Sequence, residues 1–235
     1  MKDTVYLSSL AGRPLTEYLR QLGFRLHLLD GGSSPVYKEV STHADIHMCQ
    51  LGVWDSPVLF MGNTEKLGNV YPGNIIYNAV CTGKYYIHNL KYSDSVLTAA
   101  AEKRQHDICP EQTPEKIHVS QGYTRCCCLP VDDTSFITSD RGIAASLEQA
   151  HAEVLLISAG HISLPGFDYG FIGGCAGHLM INGRRTIVFN GDLESHPDCK
   201  EITSFIKDRD IDIVSFADYP LTDIGSILYG RPYLC

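Results

Sequence analysis

The sequence lacks the features that mark membrane, secreted and nucleic-acid-binding proteins. No run approaches the roughly 20 apolar residues of a membrane span, and residues 1–15 contain no apolar segment of signal-peptide length. The 19 basic residues are outnumbered by 27 acidic residues, and the net charge of −8 disfavours nucleic acid or an anionic membrane as the main partner. We therefore expect a cytoplasmic protein.

The chain also lacks the common cofactor and hydrolase motifs. It contains no Walker loop, no G-x-G-x-x-G fingerprint, no G-x-S-x-G elbow and no H-E-x-x-H pair. These absences disfavour nucleotide-binding, flavin, serine-hydrolase and zinc-protease functions, and we expect no cofactor. The expected partner is a small-molecule ligand, and a homo-oligomer is compatible with the sequence.

Nine cysteines are present, and three of them are adjacent, at Cys126, Cys127 and Cys128. An odd number of cysteines without a secretion signal indicates free thiols rather than a disulfide framework. No pair has the C-x-x-C spacing of a structural zinc site, so we expect no bound metal. Buried packing on a strand is the expected role of the triplet. Arg125 beside it is either a plain surface residue or a residue that binds an anionic group.

Three stretches repeat one supersecondary pattern, at residues 74–108, 122–157 and 170–216. Each begins with a strand-like run, followed by a short turn, a second strand and a helix that opens at a capping residue. The turns are at Thr82-Gly83, Asp132-Asp133 and Asn182-Gly183, and the caps are Ser93 or Asp94, Asp140 and Ser195. A closing strand follows the last two helices. The unit is therefore β-β-α-β, and its starts lie about 48 residues apart, a period typical of repeat proteins.

Fragments of the same kind precede these repeats, so residues 1–235 are predicted to form one domain of about five units. "TVYLSS", "PLTEYLRQLG" and "RLHLLD" give a strand, a helix and a strand, and "HADIHMCQLG" with "PVLFMG" gives a further hairpin. The alternative is a non-repeating α/β domain in which such units recur by chance.

A ring of about five β-β-α-β units resembles the pentein fold, a five-bladed α/β propeller. This fold is shared by the guanidino-group-modifying superfamily, which includes agmatine and arginine deiminases, and by a ribosome anti-association factor that has the ring without a catalytic site. The chain is also similar to a small bacterial family of uncharacterised proteins, a relation that implies no known activity.

Two short motifs resemble the enzymatic branch of that superfamily. "HADI" (His43–Ile46) is similar to its H-x-D segment, in which a histidine acts as acid and base and an acidic residue grips the guanidinium group. "GGCAG" (Gly173–Gly177) is similar to its glycine-rich strand with a nucleophilic cysteine. The resemblance implies that Cys175 attacks, that His43 moves the proton and that Asp45 binds the cation.

The implied function is that of a cysteine-dependent hydrolase or transferase acting on a C–N bond of a small guanidino or amidino compound. The alternative is a non-catalytic pentein-like binding protein. In the first function Gly173 and Gly174 expose backbone N–H groups to a planar substrate. In the second they let two strands approach, and Cys175 is a small buried residue.

The geometry of the segment from His43 to His47 has two alternatives. If His43, Asp45 and His47 lie on a strand, they share one face, which is either a site or an exposed edge; the segment also fits a turn.

Two further residues complete the predicted site. Asn78 occupies the position in its repeat that corresponds to Cys126 and Cys175. Equivalent positions in the units of a ring face one central channel. Asp218 follows an apolar strand, where residues of α/β sites often lie, and is the preferred second carboxylate, although a loop explains it as well. A ring would therefore bring Asn78, Cys126 or Cys128, Cys175 and His43 around one opening.

Overall fold

The computed structural model describes residues 4–32 and 34–233. Its strands are β1 (Thr4–Ser8), β2 (Arg25–Leu29), β3 (Met48–Leu51), β4 (Val58–Met61), β5 (Val80–Cys81), β6 (Tyr85–His88), β7 (Glu115–His118), β8 (Cys128–Pro130), β9 (Ser135–Thr138), β10 (Glu153–Leu156), β11 (Ala176–Ile181), β12 (Arg184–Phe189), β13 (Asp212–Val214) and β14 (Leu228–Pro232). Its helices are α1 (Arg13–Gln21), α2 (Ala44–His47), α3 (Ser95–Ile108), α4 (Thr124–Cys127), α5 (Arg141–Gln149) and α6 (Cys199–Lys207).

The architecture is mixed α/β. One eight-stranded sheet has the order β2-β1-β14-β4-β3-β5-β6-β7, and two three-stranded sheets have the orders β10-β9-β8 and β11-β12-β13. None of the helices in the described residues is both long and apolar enough to span a bilayer.

The strand pairing follows the predicted β-β-α-β pattern. In each of the units β5-β6-α3-β7, β8-β9-α5-β10 and β11-β12-α6-β13, the first two strands pair antiparallel, and the second and third pair parallel across the helix. The same arrangement joins β14 near the C-terminus to β1, α1 and β2 at the N-terminus. The β3-β4 hairpin is a fifth, shorter element, and β4 pairs with the end of β14 on its other side.

Local sequence explains the turns and the helix starts. Asn182 and Gly183 both have positive φ, at 51° and 79°, as a tight two-residue hairpin turn requires. The Asp94 carboxylate accepts the N–H groups of Val96 and Leu97, and the Asp140 carboxylate accepts that of Ile143. These are N-caps that satisfy the first free donors of a helix, so both predicted caps are confirmed.

The predicted starts of the first strands are wrong in all three repeats. β5 begins at Val80 rather than near Asn74, β8 begins at Cys128 because the residues before it form the one-turn helix α4, and β11 begins at Ala176. Ser195 is also not the cap of α6, which begins at Cys199 with Asp198 at the N-cap position. Short turns rather than strands therefore precede the first strands of these units, and the candidate residues lie in those turns.

The helices pack their apolar faces against the sheets as their spacing predicts. Ile143 and Leu147 of α5, and Ile202 and Ile206 of α6, are fully buried. Burying one such side chain contributes about 1.5–3 kcal/mol to folding. The eight cysteines within the described ranges are all free, which confirms the prediction for those residues; Cys235 lies outside them.

Candidate functional site

The turns that precede the first strands meet at one place, which we call the junction (residues 43–45, 78, 125–126, 173–175 and 223–226). Five hydrogen bonds connect them in a circuit. They run from Asp45 N–H to Gly225 O, from Ser226 N–H to Gly174 O, from Gly174 N–H to Cys126 O, from Arg125 N–H to Asn78 O and from the Asn78 side-chain amide to Asp45 O. Each of the five elements therefore contacts two others here.

A buried thiol and a buried carboxylate are paired at the junction. Cys126 Sγ donates a hydrogen bond to Asp45 Oδ2 over 3.0 Å, and Ser226 Oγ donates to the same oxygen over 2.6 Å. The other oxygen, Asp45 Oδ1, is buried without a hydrogen-bond partner among the described residues. Burial raises the pKa of Asp45, and the nearby His43 opposes that rise. Burial, Asp45 and Asp223 together raise the pKa of the Cys126 thiol well above its ordinary value.

His43 and Asp223 also lie close to this thiol. His43 Nδ1 is 3.9 Å from Asp223 Oδ1, and the Asp223 carboxylate accepts the N–H groups of Gly225 at 2.9 Å and Phe171 at 3.0 Å. A His43 ring nitrogen, Cys126 Sγ and an Asp223 oxygen all lie within 4.8 Å of one another. Burial lowers the pKa of His43 to about 4 and raises the pKa of Asp223 to about 6. His43 is therefore a neutral base at pH 7.

A pocket of about 300 Å³ leads to this group. His43, Cys126 and Asp223 line it and are buried, so they form its deep end. The remaining lining is mainly aromatic, from Tyr37, Tyr123, Phe167, Tyr169 and Phe171. Phe167 and Tyr169 are largely exposed and form the rim. The pocket thus joins a polar, acidic end to an aromatic entrance.

A larger cavity, of about 750 Å³, lies between α3 and the hairpin turns at Gly83 and Asp133. Its lining includes the thiols of Cys81 and Cys109 but no histidine. Because no histidine lines it beside those thiols, the smaller pocket, which has both His43 and Cys126, is the better candidate for chemistry that uses a cysteine and a histidine.

The structure places Cys175 in the apolar core rather than at the pocket. Its side chain is 0% exposed and packs within the same apolar cluster as Ile172 and Phe189. Its Sγ donates to the carbonyl of Ile172 at 3.1 Å, and burial, with Asp223, raises its pKa well above the ordinary value. These surroundings match the alternative in which Cys175 is a small buried residue.

The glycines beside Cys175 serve close approach of the chain. A Cβ at Gly173 would lie 2.1 Å from the carbonyl oxygen of Arg125, and one at Gly174 would lie 2.0 Å from Asp223 Oδ1. No side chain fits at either position. What comes close to these glycines is therefore the backbone of the neighbouring unit and a buried carboxylate.

The segment with His43 and Asp45 is not a strand; of the two predicted geometries, the turn is the one observed. Residues 44–47 form the one-turn helix α2, and His43 is at its N-cap position. Both side chains nevertheless reach the junction. His47 does not extend the site, because its Nε2 bonds to the carbonyl of Ser41 at 2.7 Å.

Asn78 lies at the junction, as its position in the repeat predicts, but its amide is occupied by protein groups. Its Oδ1 accepts the N–H of Arg125 at 2.8 Å, and its Nδ2 donates to the carbonyl of Asp45. Asp218 is exposed and stays outside the junction, and Asp223, five residues later, holds the place of the second carboxylate.

Sequence reasoning did not assign the roles of two central residues, Cys126 and Arg125. Cys126 and Cys127 belong to α4 rather than to a strand, and Cys126 is the thiol that faces His43. Arg125 is buried and donates to the carbonyls of Gly173 and Ala176, so it is neither on the surface nor a free anion-binding group. Burial lowers its pKa, and Asp45 opposes that change. The repeat alignment, which gives Cys126 or Cys128 the position equivalent to Asn78 and Cys175, was the signal that pointed to Cys126.

Comparison with known proteins gives a family but no activity. The chain belongs to the DUF6873 family, a family of unknown function. The family model matches residues 55–228, which include Cys126 and Asp223 but not His43 or Asp45. No curated protein and no solved structure matched the chain. The comparisons therefore indicate no pentein and no guanidino-modifying family.

Proposed function

We propose that this DUF6873 protein is a cysteine-dependent hydrolase that acts on a C–N bond of a small guanidino or amidino compound, with Cys126 rather than Cys175 as the nucleophile. The observation that carries the proposal is the group of Cys126, His43 and Asp223 at the deep end of an aromatic pocket, with Asp45 hydrogen-bonded to Cys126. We further propose that the five elements around the junction form a closed, pentein-like ring. The circuit of hydrogen bonds and the recurring strand order support that arrangement.

The charges at the deep end favour a cationic ligand. The buried Asp223 carboxylate lines this end, and the buried Asp45 carboxylate, which is hydrogen-bonded to Cys126, has one oxygen, Oδ1, without a hydrogen-bond partner within the described ranges. The buried cation Arg125 lies nearby and is held by the carbonyls of Gly173 and Ala176. A cation in the pocket would interact with unpaired carboxylate charge and with the faces of the surrounding aromatic rings.

A cationic ligand would also activate the thiol. In the free protein, burial and two carboxylates hold the pKa of Cys126 high. A positive charge next to Sγ offsets both effects, so the thiolate forms when a guanidinium or amidinium group is present. Neutral molecules would leave the thiol protonated, and this difference gives selectivity for the cation.

The reaction then follows from the contacts of each group. The Sγ proton passes to Asp45, Sγ bonds to the amidine carbon, and Asp223 holds the cation. As the C–N bond breaks, the proton on Asp45 goes to the departing nitrogen, which leaves as ammonia. His43 takes one proton from water, whose oxygen bonds to the carbon. The C–S bond then breaks, the proton on His43 returns to sulfur, and the remaining hydroxyl proton is lost to solvent, where it converts the released ammonia to ammonium. A guanidino compound and water thus give a ureido compound and ammonium.

The test is selective alkylation followed by a substrate screen. Chloroacetamidine, a cation, is expected to modify Cys126 at least about 10-fold faster than the neutral chloroacetamide, as mapped by mass spectrometry. Guanidino compounds should release ammonia with the wild-type protein and with Cys175→Ala, and not with Cys126→Ala. If Cys126 shows no preference for the cationic reagent and no compound releases ammonia, the proposed chemistry is wrong.

A non-catalytic binding protein is the second candidate. The high pKa of the Cys126 thiol and its hydrogen bond to Asp45 favour it, since they describe a thiol that is unreactive in the free protein. This candidate predicts that a guanidinium compound binds without loss of ammonia, and that Cys126→Ala leaves its affinity unchanged.

A further inference from the structure

Three tyrosines form a continuous path from the pocket to the protein surface. Tyr123 lines the pocket, the Tyr71 ring centroid is 6.1 Å from that of Tyr123, and the Tyr92 centroid is 6.2 Å from that of Tyr71. Tyr71 is 47% exposed and Tyr92 is 39% exposed. We call these three residues the tyrosine path. Single exposed apolar residues are ordinary, but a row of touching rings that starts inside a pocket is a surface suited to a ligand.

The inner part of the path is held in place by the protein. The hydroxyl of Tyr123 accepts a hydrogen bond from Asn74 Nδ2 at 2.8 Å and lies 3.0 Å from the hydroxyl of Tyr37. Tyr71 lies directly against Gly122, where an added Cβ would be 2.6 Å from the Tyr71 ring. The rings of Tyr123 and Tyr71 are therefore positioned before any ligand arrives, which lowers the entropic cost of binding to them.

We infer that the ligand of this site is an organic cation with an aromatic tail, whose tail lies along Tyr71 and Tyr92 while its guanidinium or amidinium group reaches Asp223 and Cys126. The inference rests on the proposed function, and it narrows the substrate from small guanidino compounds in general to aryl-bearing ones. A pocket of about 300 Å³ accommodates the cationic group and a short linker. Outside that volume, Tyr71 and Tyr92 are two further rings that an aromatic tail can contact.

The size of the effect follows from aromatic contacts. One ring–ring contact changes affinity by about 2- to 10-fold. A cation with an aromatic tail is therefore expected to bind about 10-fold more tightly than the same cation without the tail, if the tail contacts both exposed rings.

The experiment compares phenethylguanidine with methylguanidine by isothermal titration calorimetry on the full chain. Tyr92→Ala should weaken the binding of phenethylguanidine about 3- to 10-fold and leave the affinity for methylguanidine unchanged, whereas Tyr92→Phe should preserve both affinities. Met180→Ala is the matched control, because Met180 is also 40% exposed but belongs to β11 and does not line the pocket. Equal affinities for the two compounds, or equal losses for both in Tyr92→Ala, would overturn the inference.

Ammonia release, measured on the same compounds, separates this inference from the proposed function. If phenethylguanidine binds in a Tyr92-dependent manner but no ammonia forms, the binding of the aromatic tail along the tyrosine path is supported and the hydrolase function is rejected. If ammonia forms from guanidino compounds at a rate that is independent of the aromatic tail, the hydrolase function is supported and the binding of the tail along the tyrosine path is rejected. If neither compound binds, both are rejected.

Discussion

Cys126 Sγ lies 3.0 Å from Asp45 Oδ2, and both side chains are buried. The two residues are 81 positions apart in the chain, so the contact exists only in the folded protein. It couples the proton of the thiol to the charge of the carboxylate, because an ionised Asp45 holds the pKa of Cys126 high. A substitution of Cys126 or Asp45 should therefore change the protonation or the reactivity of the other residue.

Asp45→Asn should separate thiol reactivity from turnover. Removal of the carboxylate charge lowers the pKa of Cys126, so the pH midpoint of its labelling by neutral chloroacetamide should shift downward. Ammonia release should fall about 10²- to 10⁴-fold, because the proton acceptor is lost. Asp218→Asn, at an exposed carboxylate outside the junction, is the control and should change neither quantity. An unchanged labelling midpoint in Asp45→Asn would contradict the coupling.

The pH dependence of stability should reveal the buried Asp223. Its pKa is raised to about 6 in the folded protein, against about 4 when unfolded, so the folded state holds the proton more tightly. Between these pH values the free energy of unfolding falls as the pH rises, by about 3 kcal/mol in total. His43 acts in the opposite sense, because its pKa is lowered to about 4 and its stabilisation is lost as the pH falls below about 6.5.

The two effects largely offset each other in the wild-type protein, so single variants are needed to see them. The unfolding free energy of Asp223→Asn, relative to wild type, should increase as the pH rises from 4 to about 6 and then level off. His43→Gln should show the reverse trend up to about pH 6.5. Urea unfolding at four pH values measures both, and a difference that does not vary with pH would contradict the burial of these charges.

Gly225 should be intolerant of any side chain. Its φ is +69°, and an added Cβ would be 2.1 Å from the Cβ of His43. Gly225→Ala should therefore displace His43 and destabilise the fold by more than the roughly 1 kcal/mol expected for positive φ alone. Gly23→Ala is the matched control, because Gly23 has φ +82° with no atom within 4 Å of the added Cβ. If urea unfolding shows similar decreases in unfolding free energy for the two variants, the contact with His43 is unimportant for stability.

Local sequence was sufficient for the parts of the fold that depend on local physics. The Asn182-Gly183 turn and the Asp140 cap follow from the backbone preferences of those residues, and the order of strands and helices follows from their spacing. For the segment at His43 the local pattern left two geometries open, a strand and a turn, and the structure has the turn. Polar residues at every second position fit a strand, but one helical turn places His43 and Asp45 at the same site.

The identity of the thiol could not be predicted locally. The glycines of "GGCAG" suggested a substrate beside Cys175, whereas what they admit is the backbone of Arg125 and the carboxylate of Asp223. The repeat placed Cys126 or Cys128 at the opening together with Cys175, and Cys126 could be preferred only when the folded chain brought His43, Asp45 and Asp223 to it from distant segments. Convergence of this kind is a property of the tertiary structure, and one motif does not contain it.

The two cysteines should differ most clearly when each is replaced by alanine. Cys175 is fully buried in the apolar core, so Cys175→Ala should cost about 1–2 kcal/mol of unfolding free energy by leaving a small cavity. Labelling of Cys126 and the affinity for guanidinium compounds should stay as in the wild-type protein. Cys126→Ala should instead abolish labelling by chloroacetamidine and release of ammonia. If Cys175→Ala abolished ammonia release while its unfolding free energy stayed at the wild-type value, Cys175 would be the nucleophile, and the assignment to Cys126 would be wrong.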